Sequence, residues 1–299
     1  MKRKINRRKA LGNMVLGTGA LTIGSAVNSC ANPEPKEETT PVDAPLKGNI
    51  NHSACRWCYN SIPMEEFAAG AKKIGLSGLD LLKPAEWPIA KKHGLECSLA
   101  TDDCANLTEG FNNASLHEKL YQPYMELIDK ASDFGIKNVI VFSGNRNGIG
   151  EDEGMENCAK GLDKLVEHAA KKNITLVMEL LNSKIDHKDY QCDLTPWGVA
   201  LAKKIDSPNF SLLYDIYHMQ IMEGDVIRTI RDYNDYFAHY HTGGVPGRNE
   251  INDSQELFYP AIMKAILETG YKGFVAQEFI PKREDKMASL KESIRICDV

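Results

Sequence analysis

The sequence lacks the features that mark several common classes of protein. After residue 30 no apolar run is long enough to span a membrane, which argues against a membrane-embedded body. No Gly-x-Gly-x-x-Gly turn is present, which argues against a dinucleotide-binding open sheet. Cys55 and Cys58 form a Cys-x-x-Cys pair with no second pair, so a zinc ribbon is not expected. Seven cysteines follow Cys30, an odd number without the spacing of a disulfide framework, and we expect structural thiols.

Positive charge is also scarce outside the N-terminus. The 299-residue chain has a formal net charge of −5. Six basic residues and no acidic residue precede Cys30, so the remainder carries a formal charge of −11. A body this acidic is a poor partner for phosphate backbones, and we expect no nucleic-acid partner.

The N-terminal region has the layout of an export signal. A basic start leads into a short apolar run rich in small residues, which predicts a signal peptide over residues 1–29. Arg7-Arg8 resembles a twin-arginine signal, and the residues before Cys30 resemble a bacterial lipobox. They predict an exported protein on the periplasmic side or cell surface, anchored in the membrane only through lipid on Cys30. The alternative is a plain signal peptide with a chance cysteine. Residues 30–47, rich in Pro, Glu and Thr, predict a disordered tether.

Short apolar runs alternate with amphipathic segments along the rest of the chain. Candidate strands are 50–56, 77–82, 95–100, 137–143, 173–180, 210–216, 236–242 and 273–279. Candidate helices are 64–75, 84–93, 117–135, 153–171, 195–206, 223–233, 258–269 and 286–297. Continuous Val, Ile and Leu runs are typical of parallel strands buried on both faces. This alternation predicts an α/β fold, a (β/α)8 TIM barrel forming a single catalytic domain over 48–299. An open doubly wound sheet is the alternative.

The last four candidate strands each end on a residue that can bind a cation. These residues are Glu179, Asp215, His241 and Glu278. All strands of such a barrel point their carboxyl ends at one mouth, so we expect the four side chains to converge. Three carboxylates and one imidazole favour Mn²⁺ or Mg²⁺, with Zn²⁺ or Co²⁺ as alternatives.

The spacing Glu…Asp-x-x-His…His…Glu resembles the xylose isomerase-like barrels. The segments MELLNS, YDIYHMQ and HTGGVPGRNEI are most similar to the hydroxypyruvate isomerase branch, beside the ketose 3-epimerases. The resemblance covers nearly all of 50–299. It implies that Glu179 and Glu278 exchange the substrate proton, that the four strand-end residues bind a metal, and that His218 and Arg248 hold substrate oxygens.

The residue types fit that chemistry. One carboxylate can remove a C–H proton from an α-hydroxy carbonyl while the other returns it, and a divalent ion stabilises the resulting charge. His218, Arg248, Glu250 and Trp57 are the candidate substrate-binding residues. The alternatives are a supporting histidine, an exposed Arg248–Glu250 ion pair and ordinary packing of Trp57. His187, His239 and Asn182 are weaker candidates.

Four functions remain open from the sequence. The first is a metal-dependent isomerase that acts through an enediolate on a sugar or hydroxy-keto acid, most similar to one converting hydroxypyruvate to tartronate semialdehyde. The second is a 3-epimerase of free ketoses, which an exported location favours. The third is a non-catalytic sugar-binding lipoprotein. The fourth, a phosphodiesterase similar to endonuclease IV, is disfavoured by the acidic body. The expected partner is a small molecule, with a homo-oligomer as an open possibility.

Overall fold

The structure is a computed structural model that describes residues 45–299. The predicted signal peptide, the lipidation site Cys30 and most of the predicted tether lie outside the described residues. Within the described part, Leu46 packs against the core, and the Lys47 backbone N–H donates to the Asp298 carboxylate at 2.9 Å. The contacts with the folded domain therefore begin at least two residues before the predicted boundary at residue 48.

Eight parallel strands form a nearly closed barrel. They are β1 (Asn51–Ala54), β2 (Gly78–Leu82), β3 (Glu96–Ala100), β4 (Asn138–Val141), β5 (Thr175–Glu179), β6 (Phe210–Asp215), β7 (Phe237–Thr242) and β8 (Phe274–Gln277). The hydrogen-bonded order is β1-β8-β7-β6-β5-β4-β3-β2. Their Val, Leu, Ile and Met side chains are buried in nearly continuous runs, because helices cover the outer face of a parallel sheet. The TIM barrel predicted from the sequence is confirmed.

The helices lie between the strands in the predicted order. They are α1 (Met64–Ile74), α2 (Trp87–Lys92), α3 (His117–Phe134), α4 (Glu151–Lys171), α5 (Thr195–Ile205), α6 (Ile216–Met222), α7 (Val226–Tyr233), α8 (Tyr259–Glu268) and α9 (Lys286–Cys297). Only α6 has no counterpart in the prediction. None of the helices in residues 45–299 is long and apolar enough to cross a membrane.

The barrel closes between β1 and β2 through few contacts. The Ser77 N–H donates to the His52 carbonyl at 3.0 Å, and Cys55 and Asp80 form an isolated parallel bridge. The pairing of β2 with β3 shifts register on both sides of Asp80, and Leu81 has a φ of +52°. In a regular strand, successive side chains point to opposite faces of the sheet. An irregularity of this kind changes the direction of the side chains next to it. We call this region, residues 52–55 and 77–82, the seam.

The first strand is shorter than predicted. It ends at Ala54, and residues Arg56–Tyr59 form a 3-10 turn instead of continuing the strand. Cys55, directly after the strand, and Cys58, within the turn, are both buried. The seven cysteines among the described residues are all free thiols, in agreement with a structural role.

Candidate active site

The four strand-end residues converge at the mouth of the barrel. One ligand atom from each of Glu179, Asp215, His241 and Glu278 lies within 4.8 Å of the others. All four side chains are buried. Glu179 and Asp215 are the last residues of β5 and β6, His241 is next to last in β7, and Glu278 directly follows β8. We call this set the carboxylate–histidine cluster.

Asp215 has two structural tasks, which explains the spacing Asp-x-x-His. Its Oδ1 accepts a hydrogen bond from the His218 backbone N–H at 3.2 Å, so it caps the N-terminus of α6. Its Oδ2 remains directed toward the cluster and lies 3.4 Å from Arg248 Nη2. The strand therefore ends on an aspartate that starts the next helix and presents its other carboxylate oxygen to the site.

His241 is held between two layers of carboxylates. Its Nδ1 lies 2.8 Å from Glu278 Oε2 and 3.2 Å from Glu179 Oε1. Its Nε2 lies 3.0 Å from Asp80 Oδ1 on the other side of the ring. One ring nitrogen faces the cluster and the other faces the barrel interior.

Glu278 receives donors from two side chains. Trp57 Nε1 donates to Oε1 at 2.7 Å, and Arg248 Nη2 donates to Oε2 at 2.5 Å. Burial alone raises the pKa of a carboxyl group, but Arg248 and His241 outweigh it and hold the pKa of Glu278 well below its usual value. Glu278 is therefore an ionised carboxylate in this arrangement.

Arg248 is stacked rather than solvated. Its guanidinium lies 5.2 Å from the ring centroid of Trp57 and 5.4 Å from that of Tyr217. Its φ of +56° lies in the left-handed region that non-glycine residues seldom adopt. The structure contradicts the alternative of an Arg248–Glu250 ion pair, because the carboxylates that Arg248 contacts are those of Glu278 and Asp215.

The cluster fits a hard divalent cation. Glu179 Oε1 is buried and accepts no hydrogen bond, although His241 Nδ1 lies 3.2 Å away. A buried carboxylate oxygen without a donor is costly unless something positive completes it. Burial and the neighbouring Glu278 raise the pKa of Glu179, and burial raises that of Asp215 to about 8. When ionised, the three carboxylates of the cluster carry more negative charge than Arg248 and His241 can neutralise. Such an excess is expected of residues that hold a metal.

His218 faces the same mouth from the start of α6. Its Nδ1 lies 2.6 Å from Asn182 Nδ2, so it accepts from the amide, and the ring proton belongs on Nε2. That Nε2 is buried, has no hydrogen-bond partner and lies 3.5 Å from Asp215 Oδ2. Burial and the nearby Arg248 lower the pKa of His218 well below its ordinary value. His218 is thus a neutral N–H donor, and Asn182 orients it.

Glu250 lies apart from these residues. It accepts hydrogen bonds from the Lys282 N–H at 2.9 Å, the Arg283 N–H at 3.2 Å and Ser289 Oγ at 2.9 Å. Its carboxylate ties the loop after β8 to α9 and does not line the mouth. The expectation that Glu250 binds substrate is not supported by this geometry, because the chain turns between Arg248 and Glu250 and sends their side chains apart.

Asp80 is the site residue that sequence reasoning missed. It is fully buried on β2 and contacts both His239 and His241. The available signal was an aspartate inside the apolar run GLDLL, where a buried charge requires a partner. Nothing in the sequence indicated that the partners were two histidines of β7.

A cavity of about 660 Å³ opens above the cluster. Glu179, Glu278, Arg248, Trp57 and His187 line its inner part. Leu81 of β2 and apolar residues of the loops after β2 to β5 form part of the wall, and polar or charged side chains form the rest, namely Arg56, Asn60, Lys83, Glu86 and Thr101. The cluster therefore lies at one side of a pocket that extends across the mouth.

The sequence model of one family matches most of this barrel. The xylose isomerase-like TIM barrel family matches residues 87–298, which include the whole carboxylate–histidine cluster. The chain belongs to this family. Its curated relatives include proteins named as isomerases, which supports an isomerase-type enzyme as the general class.

Two relatives show how far the similarity extends. A human protein named as a hydroxypyruvate isomerase is 33% identical over 113 residues, covering 38% of this chain and 41% of the human protein. The match thus spans only about two fifths of that relative. A 2-oxo-tetronate isomerase of Pectobacterium atrosepticum is 25% identical over 240 residues, covering 75% of this chain and 89% of the relative.

Solved structures share the barrel at low identity. A protein named AP endonuclease, family 2, from Brucella melitensis superposes with a TM-score of 0.71 at 23% identity, covering 81% of this chain and 96% of its own. A D-psicose 3-epimerase from Clostridium cellulolyticum with bound D-tagatose gives a TM-score of 0.68 at 16% identity, covering 84% and 100%. At these identities the comparison concerns the fold alone.

Proposed function

We propose that this member of the xylose isomerase-like family is a metal-dependent isomerase of an α-hydroxy carbonyl compound, most similar to hydroxypyruvate isomerases. The observation that carries the proposal is the pair of buried carboxylates, Glu179 and Glu278, in one cluster at the barrel mouth. The relatives of this chain that are named hydroxypyruvate isomerase and 2-oxo-tetronate isomerase support a small keto acid as the substrate class.

The two glutamates have different surroundings, which suits opposite ends of one proton transfer. Glu278 is held ionised by Arg248 and His241, whereas burial and Glu278 favour the protonated form of Glu179. One carboxylate takes the proton as the C–H bond at the hydroxyl-bearing carbon breaks, giving an enediolate. A proton is then delivered to the former carbonyl carbon as the new C–H bond forms, while the hydroxyl proton passes from the old hydroxyl oxygen to the old carbonyl oxygen, and no oxidant or reductant is needed.

The remaining residues orient the substrate. His218 Nε2–H and the Arg248 guanidinium donate to substrate oxygens, and Trp57 forms a wall while it holds Glu278. Glu179, Asp215, His241 and Glu278 would hold Mn²⁺ or Mg²⁺, with Zn²⁺ or Co²⁺ as alternatives. A bound divalent ion supplies Lewis-acid stabilisation of the negative charge that develops on the two substrate oxygens.

A second candidate is 3-epimerisation of a free ketose with the same two glutamates. The cavity of about 660 Å³ favours it, because that volume is within the range of pockets that enclose much larger ligands than a three-carbon acid. We further propose that the protein acts after export, anchored through Cys30, as its N-terminal sequence predicts.

A proton-exchange screen tests the proposal and separates the candidates. The metal-free protein and the protein with added Mn²⁺ are incubated in D₂O with hydroxypyruvate and with a panel of ketoses, and NMR follows deuterium incorporation and products. We expect Mn²⁺-dependent exchange at the carbon next to the carbonyl, with tartronate semialdehyde formed from hydroxypyruvate. Exchange with inversion at C3 of a ketose identifies the epimerase instead. Binding of a sugar without exchange in any substrate refutes both and favours the non-catalytic lipoprotein.

A further inference from the structure

Asp80 lies directly behind the cluster, where a barrel is ordinarily filled with apolar side chains. It is completely buried, as are Ser98 and His239 beside it. Asp80 Oδ1 lies 3.0 Å from His241 Nε2, and Oδ2 lies 2.8 Å from His239 Nε2. Ser98 Oγ donates to Oδ2, and Cys55 Sγ donates to Oδ1 at 3.4 Å. Each oxygen of this carboxylate therefore has two polar partners inside the barrel.

The backbone is distorted where it places this residue. The register of β2 against β3 shifts on both sides of Asp80, and the next residue, Leu81, has a φ of +52°. A leucine in the left-handed region costs conformational free energy, and such strain is retained where surrounding structure enforces it. The distortion sends Asp80 into the interior below His241 while Leu81 lines the cavity.

Packing alone does not account for a buried charge here. Apolar residues of similar volume generally stabilise an interior as well as a buried ion pair does, or better. An imidazole that binds a cation through one nitrogen needs a partner for the other, and a carboxylate is the strongest such partner. His241 has this arrangement: Nδ1 faces Glu179 and Glu278, and Nε2 faces Asp80.

We propose that Asp80 is a positioning residue for the metal centre. Its carboxylate contacts Nε2 and so fixes the ring of His241 with Nδ1 directed at Glu179 and Glu278, where the cation would lie. Without Asp80 the ring loses the carboxylate that holds it in this orientation. The inference rests on the proposed metal centre and adds a residue to it.

Mn²⁺ binding to the metal-free protein tests this role without reference to turnover. Asp80→Asn keeps the size and one acceptor oxygen but removes the charge, and we expect Mn²⁺ to bind about 10- to 100-fold more weakly by calorimetry. The matched control is His239→Gln, which removes the other imidazole on Asp80 and leaves the His241 contact in place. We expect this control to bind Mn²⁺ within about threefold of wild type, because the ligand His241 keeps its partner.

The outcomes separate this inference from the proposed function. Wild type that binds no divalent ion refutes the metal centre itself. Wild-type affinity in Asp80→Asn, or an equal loss in His239→Gln, refutes only the positioning role. A second Mn²⁺ equivalent that disappears in both variants also refutes it, because Asp80 would then be a ligand.

Folding of the variant is controlled separately. If Asp80→Asn shows no cooperative thermal transition because His239 loses its carboxylate, the double variant Asp80→Asn/His239→Gln is compared with His239→Gln alone. The positioning role requires the double variant to bind Mn²⁺ at least about tenfold more weakly. Equal affinities of these two proteins would refute it.

Discussion

At the scale of single residues, the site depends on how each carboxylate is partnered. Glu278 accepts from Trp57 and Arg248, whereas Glu179 Oε1 has no donor although it is buried. The pKa values of these two identical side chains therefore shift in opposite directions because their neighbours differ. Because of this difference, the roles of Glu179 and Glu278 can be tested by substituting each one alone and both together.

Glu278→Gln keeps the shape and one ligand oxygen but removes the ionised base. If Glu278 moves the proton, kcat at saturating Mn²⁺ should fall by about 10²–10⁴, the usual contribution of general acid–base catalysis. Substrate binding should change far less, since Arg248 and His218 remain. Steady-state kinetics on the substrate identified by the exchange screen measure both quantities.

Two comparisons control this experiment. Glu268→Gln changes an exposed glutamate that pairs with Arg231, and it should leave kcat unchanged. The double variant Glu179→Gln/Glu278→Gln should be little worse than either single variant, because residues that act as a unit are not additive. A Glu278→Gln enzyme that keeps more than about a tenth of the wild-type rate contradicts the assignment.

At the scale of elements, the loops after the strands decide which polar residues reach the mouth. Asp215 caps α6 and so fixes His218 one turn later, while Asn182 in the loop after β5 sets the orientation of that ring. Glu250 has a different task, since it accepts from the backbone of the loop after β8 and from Ser289 of α9.

We expect Glu250→Ala to destabilise the fold and leave the metal centre intact. Its buried donors lose their acceptor, which should lower the free energy of unfolding by about 1–3 kcal/mol. Urea denaturation measures the loss, and calorimetry should show Mn²⁺ affinity within about threefold of wild type because no ligand changes. Glu268→Ala is the matched control, whose exposed ion pair contributes at most about 1 kcal/mol. A large loss of Mn²⁺ affinity in Glu250→Ala would return Glu250 to the candidate site.

At the scale of the whole molecule, the ends of the described chain meet beside the barrel. The Lys47 N–H donates to Asp298, and Asn49 Nδ2 donates to the Val299 carbonyl at 2.9 Å. Leu46 approaches α1 so closely that a Cβ on Gly75 would lie 2.7 Å from its Cδ1. The segment before β1 is therefore part of the folded domain from at least Leu46.

A chain that begins at Pro45 should fold and keep the activity of the full-length protein. We expect a single cooperative thermal transition, because the described residues share one hydrophobic core. A chain that begins at Gly48 lacks the Leu46 contact, worth about 1 kcal/mol, and its Tm should be lower by about 2–4 °C. Differential scanning calorimetry of the two truncated chains measures this. Absence of a cooperative transition in the longer one would show that the N-terminal region is needed for folding.

The amino-acid sequence by itself determined the barrel and the ends of its strands. Apolar runs alternating with amphipathic segments depend only on local burial, so the eight strands and their order could be predicted. Because parallel strands share one mouth, the positions of Glu179, Asp215, His241 and Glu278 sufficed to predict that they meet. The cap on α6 could not be predicted in the same way, because an aspartate at a strand end can be a ligand, a helix cap or both.

Only the tertiary structure decided which groups lie behind and beside the cluster. Asp80 and His241 are distant in the sequence and meet across the barrel interior near an irregular seam, a contact that no local pattern encodes. Arg248 and Glu250 are two residues apart yet have unrelated partners, because the loop turns between them. Local propensity specifies where strands begin and end, whereas side-chain partners are set by closure of the sheet and by the backbone angles of its loops.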